Sequence, residues 1–354
     1  MNKYLSVKLK VLSFLLMILV VFIHSHNIAG RLLSGNTVLS NGYSSFIQDF
    51  ISDGICYIAV PLFFCISGYL FFFNFKAGFK EFKSKYTKRF RTLVIPYLFW
   101  TIGVLLVYFI LQLFPGTSNF SEIRIKDFRA IDFFNRIFIA PIPLQLWFVR
   151  DLIIITILSP VVYWLIRVLN FIPVLVLFVA WLFDFDFIIL SNFSLLFFAF
   201  GAYLSIKKDT VLLKDFSKNH WIFMSLWLAL ILCRTILLYN NFDNPIVFNI
   251  LIKSIILSGL FAVWCSYDFL FYKKDLSNIR IYSVFSFSFF IFAFHIPILN
   301  VFKRVLFYLI GKDEFASLFI YLAAPAITIS LGILIGYNLK RFVPAFYGII
   351  TGAR

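Results

Sequence analysis

Long apolar runs recur along the chain from residue 11 to residue 338, separated by short polar segments. Most runs are roughly 20 residues long, the length with which an α-helix crosses about 30 Å of hydrocarbon. The pattern predicts an all-α polytopic membrane protein with about ten transmembrane helices, both termini on one side, and a single transmembrane domain over 1–354. The predicted spans are 9–27, 55–73, 92–114, 146–166, 170–184, 187–206, 221–239, 246–266, 282–303 and 315–338. The fifth is short, and Asp184 and Asp186 mark a tight turn into the sixth.

The composition agrees with this class. The chain has 354 residues, of which 62% are hydrophobic and only 14% charged, with 50 Phe. Soluble domains carry roughly 25% charged residues. The basic start and apolar run up to Ala29 resemble a signal peptide. Because no small-x-small cleavage site follows, we expect this segment to stay as the first span.

The net charge of +16 is explained by where the basic residues lie. Most of the 32 Lys and Arg fall in one set of alternating segments: the N-terminus, 74–91, 207–218, 273–280 and the C-terminus. Because cytoplasmic loops are rich in Lys and Arg, the distribution predicts that both termini are cytoplasmic. The charge therefore reflects topology, and we expect no nucleic-acid partner.

Three cations, Arg150, Arg234 and Lys253, fall inside predicted spans, in the outer half of the membrane. Charged groups in a bilayer are costly and usually face a cavity or a partner. Only Asp151 lies clearly within a span, so the acids are not expected to balance these cations. The excess favours an outward-opening polar cavity for an anionic or hydroxyl-rich substrate. The alternative is that the long side chains extend to the outer interface.

The first span ends in two of the chain's four histidines, His24 and His26. Residues two apart on a helix are separated by about 200°, so the two imidazoles point to opposite faces. Ser13 and Lys10 precede His24 by 11 and 14 residues, within about 20° and 40° of its face. This stripe joins a cytoplasmic cation to an imidazole near the outside. We expect His26 to end the helix at the interface and to tolerate substitution.

His295 lies near the middle of the ninth predicted span and is followed by Pro297, which can break the backbone hydrogen-bond ladder. A mid-membrane imidazole beside such a distortion indicates a substrate role or a structural hydrogen bond between helices. The four cysteines, Cys56, Cys65, Cys233 and Cys265, lack CxxC spacing or a nearby pair of histidines and are expected to be small buried hydrophobes. No metal site is predicted. The longest loop, 115–145, is expected to lie along the interface, to cap a cavity, or to form plain surface.

Five stretches in order resemble the acyltransferase-three family of integral membrane O-acyltransferases, and the resemblance covers nearly the whole chain. They are "ILVVFIH" at 18–24, "VPLFFCISGYLF" at 60–71, "KRFRTLVIPYLFW" at 88–100, "LWFVRDLI" at 146–153 and "FSFFIFAFHIPIL" at 287–299. The resemblance implies about ten helices and transfer of an acyl group from cytoplasmic acyl-coenzyme A to a sugar or lipid hydroxyl across the membrane. Many relatives add a soluble esterase-like domain after the last helix, and this chain ends at Arg354 without one.

By position, His24 matches the family's first-helix histidine, which is proposed as catalytic, and His295 matches its late H-x-P histidine. In the family an Arg commonly stands 11 residues before the first histidine; Ser13 stands there in this chain, and Lys10, one turn earlier, is its expected substitute. The resemblance also matches two basic residues before the "PYLFW" element, Arg89 and Arg91.

The chemistry expected of these residues is acyl transfer. His24 would act as general base on the acceptor hydroxyl, with a covalent acyl-histidine relay as the alternative mechanism. Lys10, Arg89 and Arg91 would hold the donor diphosphates. Arg150 would steady the acceptor or the oxyanion, and Trp147 would offer a stacking face to a sugar ring.

The predicted function is that of an O-acetyltransferase in the bacterial cytoplasmic (inner) membrane. Acetyl-coenzyme A is the expected donor and co-substrate, and an O-antigen, a capsule or a lipid-linked precursor is the expected acceptor. Membrane lipid is a further partner, and the sequence carries no signal for an oligomeric state. The alternative is a transporter or export partner for a lipid-linked glycan, in which the cations bind diphosphate and no chemistry occurs.

Overall fold

The computed structural model describes residues 2–27, 42–114, 124–207, 210–272, 274, 276 and 280–353. These residues form fourteen α-helices, α1 to α14 in chain order. The helices are Lys3–Ser25, Tyr43–Ser52, Ala59–Phe72, Phe79–Arg89, Ile95–Leu111, Ala130–Phe134, Trp147–Leu169, Ile172–Leu182, Asn192–Lys207, His220–Tyr239, Pro245–Phe271, Ser288–Ile310, Glu314–Phe342 and Pro344–Thr351.

The all-α polytopic class is confirmed. Within the described ranges, eight helical segments are long and apolar enough to cross a membrane, some of them formed by two helices joined through a 3₁₀ or π turn. The predicted fifth and sixth spans are the shorter helices α8 and α9. The turn between them carries Asp184 in a left-handed conformation (φ 56°), and Asp186 accepts a hydrogen bond from the Asn192 backbone (2.7 Å). Because α8 ends at Leu182 and α9 begins at Asn192, the connection is longer than the tight turn that was expected.

The start of α1 and the end of α13 lie at the same end of the bundle, here called the terminal end. Lys10 on α1 lies over the ring of Tyr282, 4.0 Å from its centroid, in the 3₁₀ segment that leads into α12. Lys340, in the last turn of α13, donates to Ser286 of that segment. Both chain termini therefore lie on one side, as predicted. The opposite end, where α1 stops at Ser25, is called the far end.

Helices α3 and α9 approach until their backbones touch. A Cβ added at Gly68 would lie 2.0 Å from the carbonyl oxygen of Phe198, and one added at Gly201 would lie 2.0 Å from that of Cys65. Small residues at such crossings allow the dense van der Waals packing that holds helices together in lipid. This contact anchors α3, which packs against α1 and so supports the helix that carries His24.

Prolines inside three long helices each free one backbone carbonyl, because proline has no N–H to donate to the residue four positions earlier. Each freed carbonyl accepts a side-chain hydrogen bond instead. For Pro160 the donor to the Thr156 carbonyl is Ser159, and for Pro325 the donor to the Tyr321 carbonyl is Ser25 of α1. The third, Pro297, does not stop α12 and frees the carbonyl of Ala293. That carbonyl helps to build the site.

Candidate active site

A cavity of about 310 Å³ lies at the far end of α1, with His24 in its wall. Trp147, at the start of α7, lines the same cavity, together with Tyr57 from the segment before α3. The volume falls within the range of small-molecule sites. The structure therefore brings together two residues predicted from separate parts of the sequence, a candidate base and a candidate stacking surface.

His295 lies directly behind His24. The two ring centroids are 5.4 Å apart, and His295 is fully buried. Its Nδ1 lies 2.7 Å from the carbonyl oxygen of Phe292. Because a carbonyl can only accept, Nδ1 carries the proton, and Nε2 has a free lone pair in the neutral ring. No described residue donates to this buried Nε2. The imidazole of His24 thus lines the cavity, and the imidazole of His295 behind it is held in one tautomer.

Gln145 is a site residue that sequence reasoning missed. It is buried, lines the cavity, and donates from Nε2 to the Ala293 carbonyl (3.0 Å) that Pro297 leaves free. This bond fixes the orientation of the amide, because the carbonyl requires the NH₂ group. The acceptor Oε1 is buried without a hydrogen-bond partner among the described residues. It can accept an O–H or N–H from a bound substrate.

Lys303, near the end of α12, closes the last turn of α1. Its Nζ donates to the carbonyls of His24 (3.1 Å) and His26 (3.2 Å). A cation at the C-terminus of a helix satisfies carbonyls that lack intrahelical partners and interacts favourably with the helix dipole. Lys303 is the last residue of the ninth predicted span, and no role in the site was predicted for it. The structure shows that it holds the backbone that carries His24.

The expectation that acids do not balance the three intramembrane cations is wrong. Each cation has a carboxylate partner. Arg150 donates to Asp151 (2.6 Å), Arg234 lies 3.7 Å from Asp53, and Lys253 lies 2.9 Å from Asp184. Asp53 lies two residues before its predicted span and Asp184 is the last residue of its own, so hydropathy alone did not show that they pair with the cations.

The three cations differ in how many of their nitrogens donate a hydrogen bond. Arg150 donates through three nitrogens, twice to Asp151 and once to the Ile139 carbonyl, so it ties α7 to the preceding loop segment. Lys253 donates to Asp184 and to the Leu182 carbonyl. Hydrogen bonding from Lys253 lowers the pKa of the exposed Asp184 carboxyl. By contrast, Arg234 has two nitrogens, Nε and Nη1, that are buried without a partner in the described ranges.

The residues predicted to hold the donor lie nearer the terminal end. Lys10 is half-buried on Tyr282, and Ser13 is half-buried in the next turn of α1. Arg89 lies against Phe71, with the guanidinium carbon 5.6 Å from the ring centroid, and Arg91 is exposed. The recorded contacts of Lys10 and Arg89 are with different elements, so their joint role in donor binding stays a prediction.

Two members of the predicted stripe along α1, Lys10 and His24, face neighbouring parts of one segment, and the place of Ser13 on that face stays a prediction. Lys10 contacts Tyr282, Phe14 contacts Phe285, and His24 contacts His295, so one face of α1 runs along α12 and its leading segment. His26 ends the helix and turns away, with Nε2 2.9 Å from Asp49 of α2. His26 therefore ends the helix as expected, the contact with Asp49 was not predicted, and its tolerance to substitution stays a prediction.

The terminal end also contains an unpredicted buried ion pair. Lys8 lies 2.7 Å from Asp268 near the end of α11, and both side chains are fully buried. Sequence reasoning had assigned Lys8 to a cytoplasmic segment before the first span. Of the four cysteines, Cys56, Cys65 and Cys265 are buried as expected, whereas Cys233 is exposed. All four are free thiols.

A larger cavity of about 570 Å³ lies among α1, α3, α8, α9, α10 and α11. Its wall is almost wholly apolar, formed by side chains such as Leu62, Phe197 and Phe261. The smaller cavity differs in that an imidazole, His24, lines it and a second, His295, lies behind that wall.

Comparison with known proteins identifies the family of the chain. The chain is 25% identical over 366 residues to the succinoglycan biosynthesis protein ExoH of Rhizobium meliloti (strain 1021), covering 100% of this chain and 94% of that protein. No solved structure matches the chain. The profile of the acyltransferase-three family, described as an acyltransferase domain, matches residues 7–337. This range includes α1 with His24 and α12 with His295, and the chain is a multi-pass membrane member of the acyltransferase-three family.

Proposed function

We propose that this protein is an O-acyltransferase of the bacterial cytoplasmic membrane. It moves an acyl group, acetyl in the simplest case, from cytoplasmic acyl-coenzyme A to a hydroxyl of a surface polysaccharide or its lipid-linked precursor. The observation that carries the proposal is the His24–His295 pair at the wall of a cavity that also presents Trp147 and Gln145. The polysaccharide acceptor is supported by the similarity to the succinoglycan biosynthesis protein of Rhizobium meliloti.

In the proposed reaction His24 accepts the proton of the acceptor hydroxyl. The hydroxyl oxygen then forms a bond to the thioester carbonyl carbon as the carbon–sulfur bond breaks. The coenzyme A thiolate leaves with the bonding electron pair and takes the proton from His24. The products are an ester and a free thiol, and His24 returns to its neutral form. General-base catalysis of this kind contributes roughly 10²- to 10⁴-fold in rate.

His295 is assigned the role of positioning His24. Its Nδ1 proton is committed to the Phe292 carbonyl, so its Nε2 can only accept. A small rotation of His24 across the 5.4 Å ring separation lets it donate an N–H to this Nε2. The remaining nitrogen of His24 then presents a lone pair to the cavity, the arrangement that a general base requires.

Substrate binding is divided between the two ends of the bundle. Lys10, Arg89 and Arg91 hold the donor diphosphates near the cytoplasm, and Ser13 lines the path between Lys10 and His24. The 14 residues between Lys10 and His24 correspond to about 21 Å along α1. Trp147 stacks on the acceptor sugar and Gln145 accepts a hydrogen bond from bound substrate. Arg150 and Lys253 already donate to carboxylates and carbonyls, and the proposal gives them no substrate contact.

Mass spectrometry of surface glycan from cells tests the proposal. We expect cells with the wild-type protein to carry acyl esters that are lost with His24→Ala, while the amount of polymer is unchanged. His220→Gln is the matched histidine control, because His220 lies at the terminal end, 2.9 Å from Ser266, and should leave the esters in place. If His24→Ala instead stops export and the residual polymer is normally acylated, the protein is an export partner and the proposal is wrong.

A further inference from the structure

A second polar cluster lies immediately beyond the catalytic cavity at the far end. It is formed by His26, Asp49, Asp53 and Arg234, with Tyr57 beneath it; these residues are called the outer cluster. The ligand-capable atoms of His26, Asp49 and Asp53 all lie within 4.8 Å of one another. They come from the end of α1 and from α2 and its C-cap, and Arg234 comes from α10, so the fold assembles the cluster from three separate segments.

Arg234 is the group that the protein leaves unsatisfied. Its side chain is only 7% exposed, yet Nε and Nη1 lack hydrogen-bond partners among the described residues. Its single recorded ion pair, Nη2 to Asp53, is long at 3.7 Å. Buried guanidinium N–H groups without acceptors are costly, so their presence indicates that something else accepts from them.

The outer cluster is continuous with the catalytic cavity. The guanidinium carbon of Arg234 lies 5.6 Å from the centroid of Tyr57, and Tyr57 lines the cavity that contains His24. His26 lies two residues beyond His24 on the same segment. A molecule held by the cluster therefore extends past Tyr57 towards the candidate base.

The charges of the outer cluster favour a neutral ligand that carries several hydroxyls. Two carboxylates, one guanidinium and one imidazole stand side by side. Adjacent acceptors and donors match vicinal hydroxyls, each of which both donates and accepts. An anionic group would approach Asp49 and Asp53 at an electrostatic cost. A metal ion would lie beside the Arg234 cation, which would repel it.

We propose that the outer cluster is the acceptor subsite and binds a neutral sugar ring of the polysaccharide next to the ring that is acylated. This inference rests on the proposed function and specifies its acceptor. Asp53 accepts from sugar hydroxyls, Arg234 donates to them through Nε and Nη1, and the sugar is held so that a neighbouring hydroxyl reaches His24.

The test measures acyl transfer in proteoliposomes, with labelled acetyl-coenzyme A as donor and alkali-deacylated surface polysaccharide of the producing cell as acceptor. Hydrogen bonds to charged groups contribute about 1.5–3 kcal/mol, so Asp53→Asn and Arg234→Lys should each raise the acceptor KM by about 10-fold or more. The donor KM should be unchanged and kcat should stay within about threefold of wild type. Asp132→Asn, which removes an exposed carboxylate paired with Arg129, is the control and should change neither KM.

Competition with added sugars checks the ligand class. A neutral hexose oligosaccharide should inhibit the wild type and lose its effect on Asp53→Asn. The subsite is refuted if both variants melt like wild type and keep the wild-type acceptor KM, if a uronic-acid oligosaccharide competes better than the neutral one, or if a chelator abolishes activity and Zn²⁺ restores it. If the wild type itself transfers no acyl group, the proposed function fails instead, which is a distinguishable result.

Discussion

The buried Lys8–Asp268 pair should dominate the stability of the contact between α1 and α11. Lys8 Nζ lies 2.7 Å from Asp268 Oδ1 and 3.6 Å from the centroid of a Trp264 ring. Asp268 also accepts from the Tyr4 hydroxyl and, through Oδ2, from the Phe216 backbone N–H (3.3 Å). The carboxylate therefore has three donors, whereas the ammonium has one acceptor and two aromatic faces, Trp264 and the more distant Tyr267 (5.5 Å).

Because the two groups keep different numbers of partners, the two single variants should lose different amounts of the free energy of unfolding. Removing one partner of a buried pair costs roughly 3–5 kcal/mol, because the other charge stays buried. In Lys8→Met the carboxylate keeps two donors, so we expect a loss near the lower value, about 3 kcal/mol. In Asp268→Leu the ammonium keeps only cation–π contacts, of which the closer, with Trp264, contributes about 0.5–2 kcal/mol, so the loss should approach 5 kcal/mol. The double variant removes both charges and should cost less than either single variant.

Unfolding in mixed micelles, titrated with sodium dodecyl sulfate, measures these free energies. A double-mutant cycle over wild type, the two single variants and Lys8→Met/Asp268→Leu isolates the coupling between the two groups. We expect strong coupling, and Asp268→Leu to be the least stable of the four proteins. If the two single losses simply add in the double variant, or if Lys8→Met is as stable as wild type, the pair does not hold α1 in place.

Three further changes test other parts of the structure. Gly201→Ala should lower the free energy of unfolding by about 1–3 kcal/mol, because the added Cβ meets a backbone carbonyl. Gly103→Ala is the control and should leave it unchanged, because the space around Gly103 is open. Unchanged melting of both variants would contradict the α3–α9 contact. Gln145→Leu should slow acyl transfer by about tenfold without loss of stability, since one hydrogen bond to substrate is removed; a wild-type rate would exclude this contact. The pKa of the Asp184 carboxyl is lowered, so its bond to Lys253 stabilises the protein at neutral pH and is lost as the pH falls through the folded-state pKa. Asp184→Asn should therefore melt at a lower temperature than wild type at pH 7 and at the same temperature well below pH ~4. A difference in melting temperature that does not depend on pH would refute the assignment.

Hydropathy was sufficient to predict the class and the approximate spans, because the bilayer imposes the length and polarity of each helix. The same periodicity placed Lys10 and His24 on one face of α1, and that face does run along α12. The first helix nevertheless begins at Lys3, six residues before the predicted span. A lysine near its start counts against a span in a hydropathy window, although Lys8 is buried and paired in the folded protein.

The partners of the charged and polar site residues were not predictable from the same pattern. Asp53 precedes its predicted span and Asp268 follows its own, so neither carboxylate was weighed against an intramembrane cation. Gln145 lies outside a span and owes its orientation to a carbonyl on another helix. Pro297 does give a local signal, since a proline always frees the carbonyl four residues earlier. Which side chain donates to that carbonyl depends on tertiary packing.

The most direct test of the central claim is single-turnover acyl transfer by purified protein in liposomes, with labelled acetyl-coenzyme A on the cytoplasmic side and polysaccharide acceptor on the other. Ester formation and thiol release are followed together. With wild type, we predict that ester and free thiol appear in equal amounts. His24→Ala should slow the appearance of ester and thiol by about 10²-fold or more, while the binding of acetyl-coenzyme A is unchanged. Transfer by His24→Ala at more than about a tenth of the wild-type rate would contradict the claim.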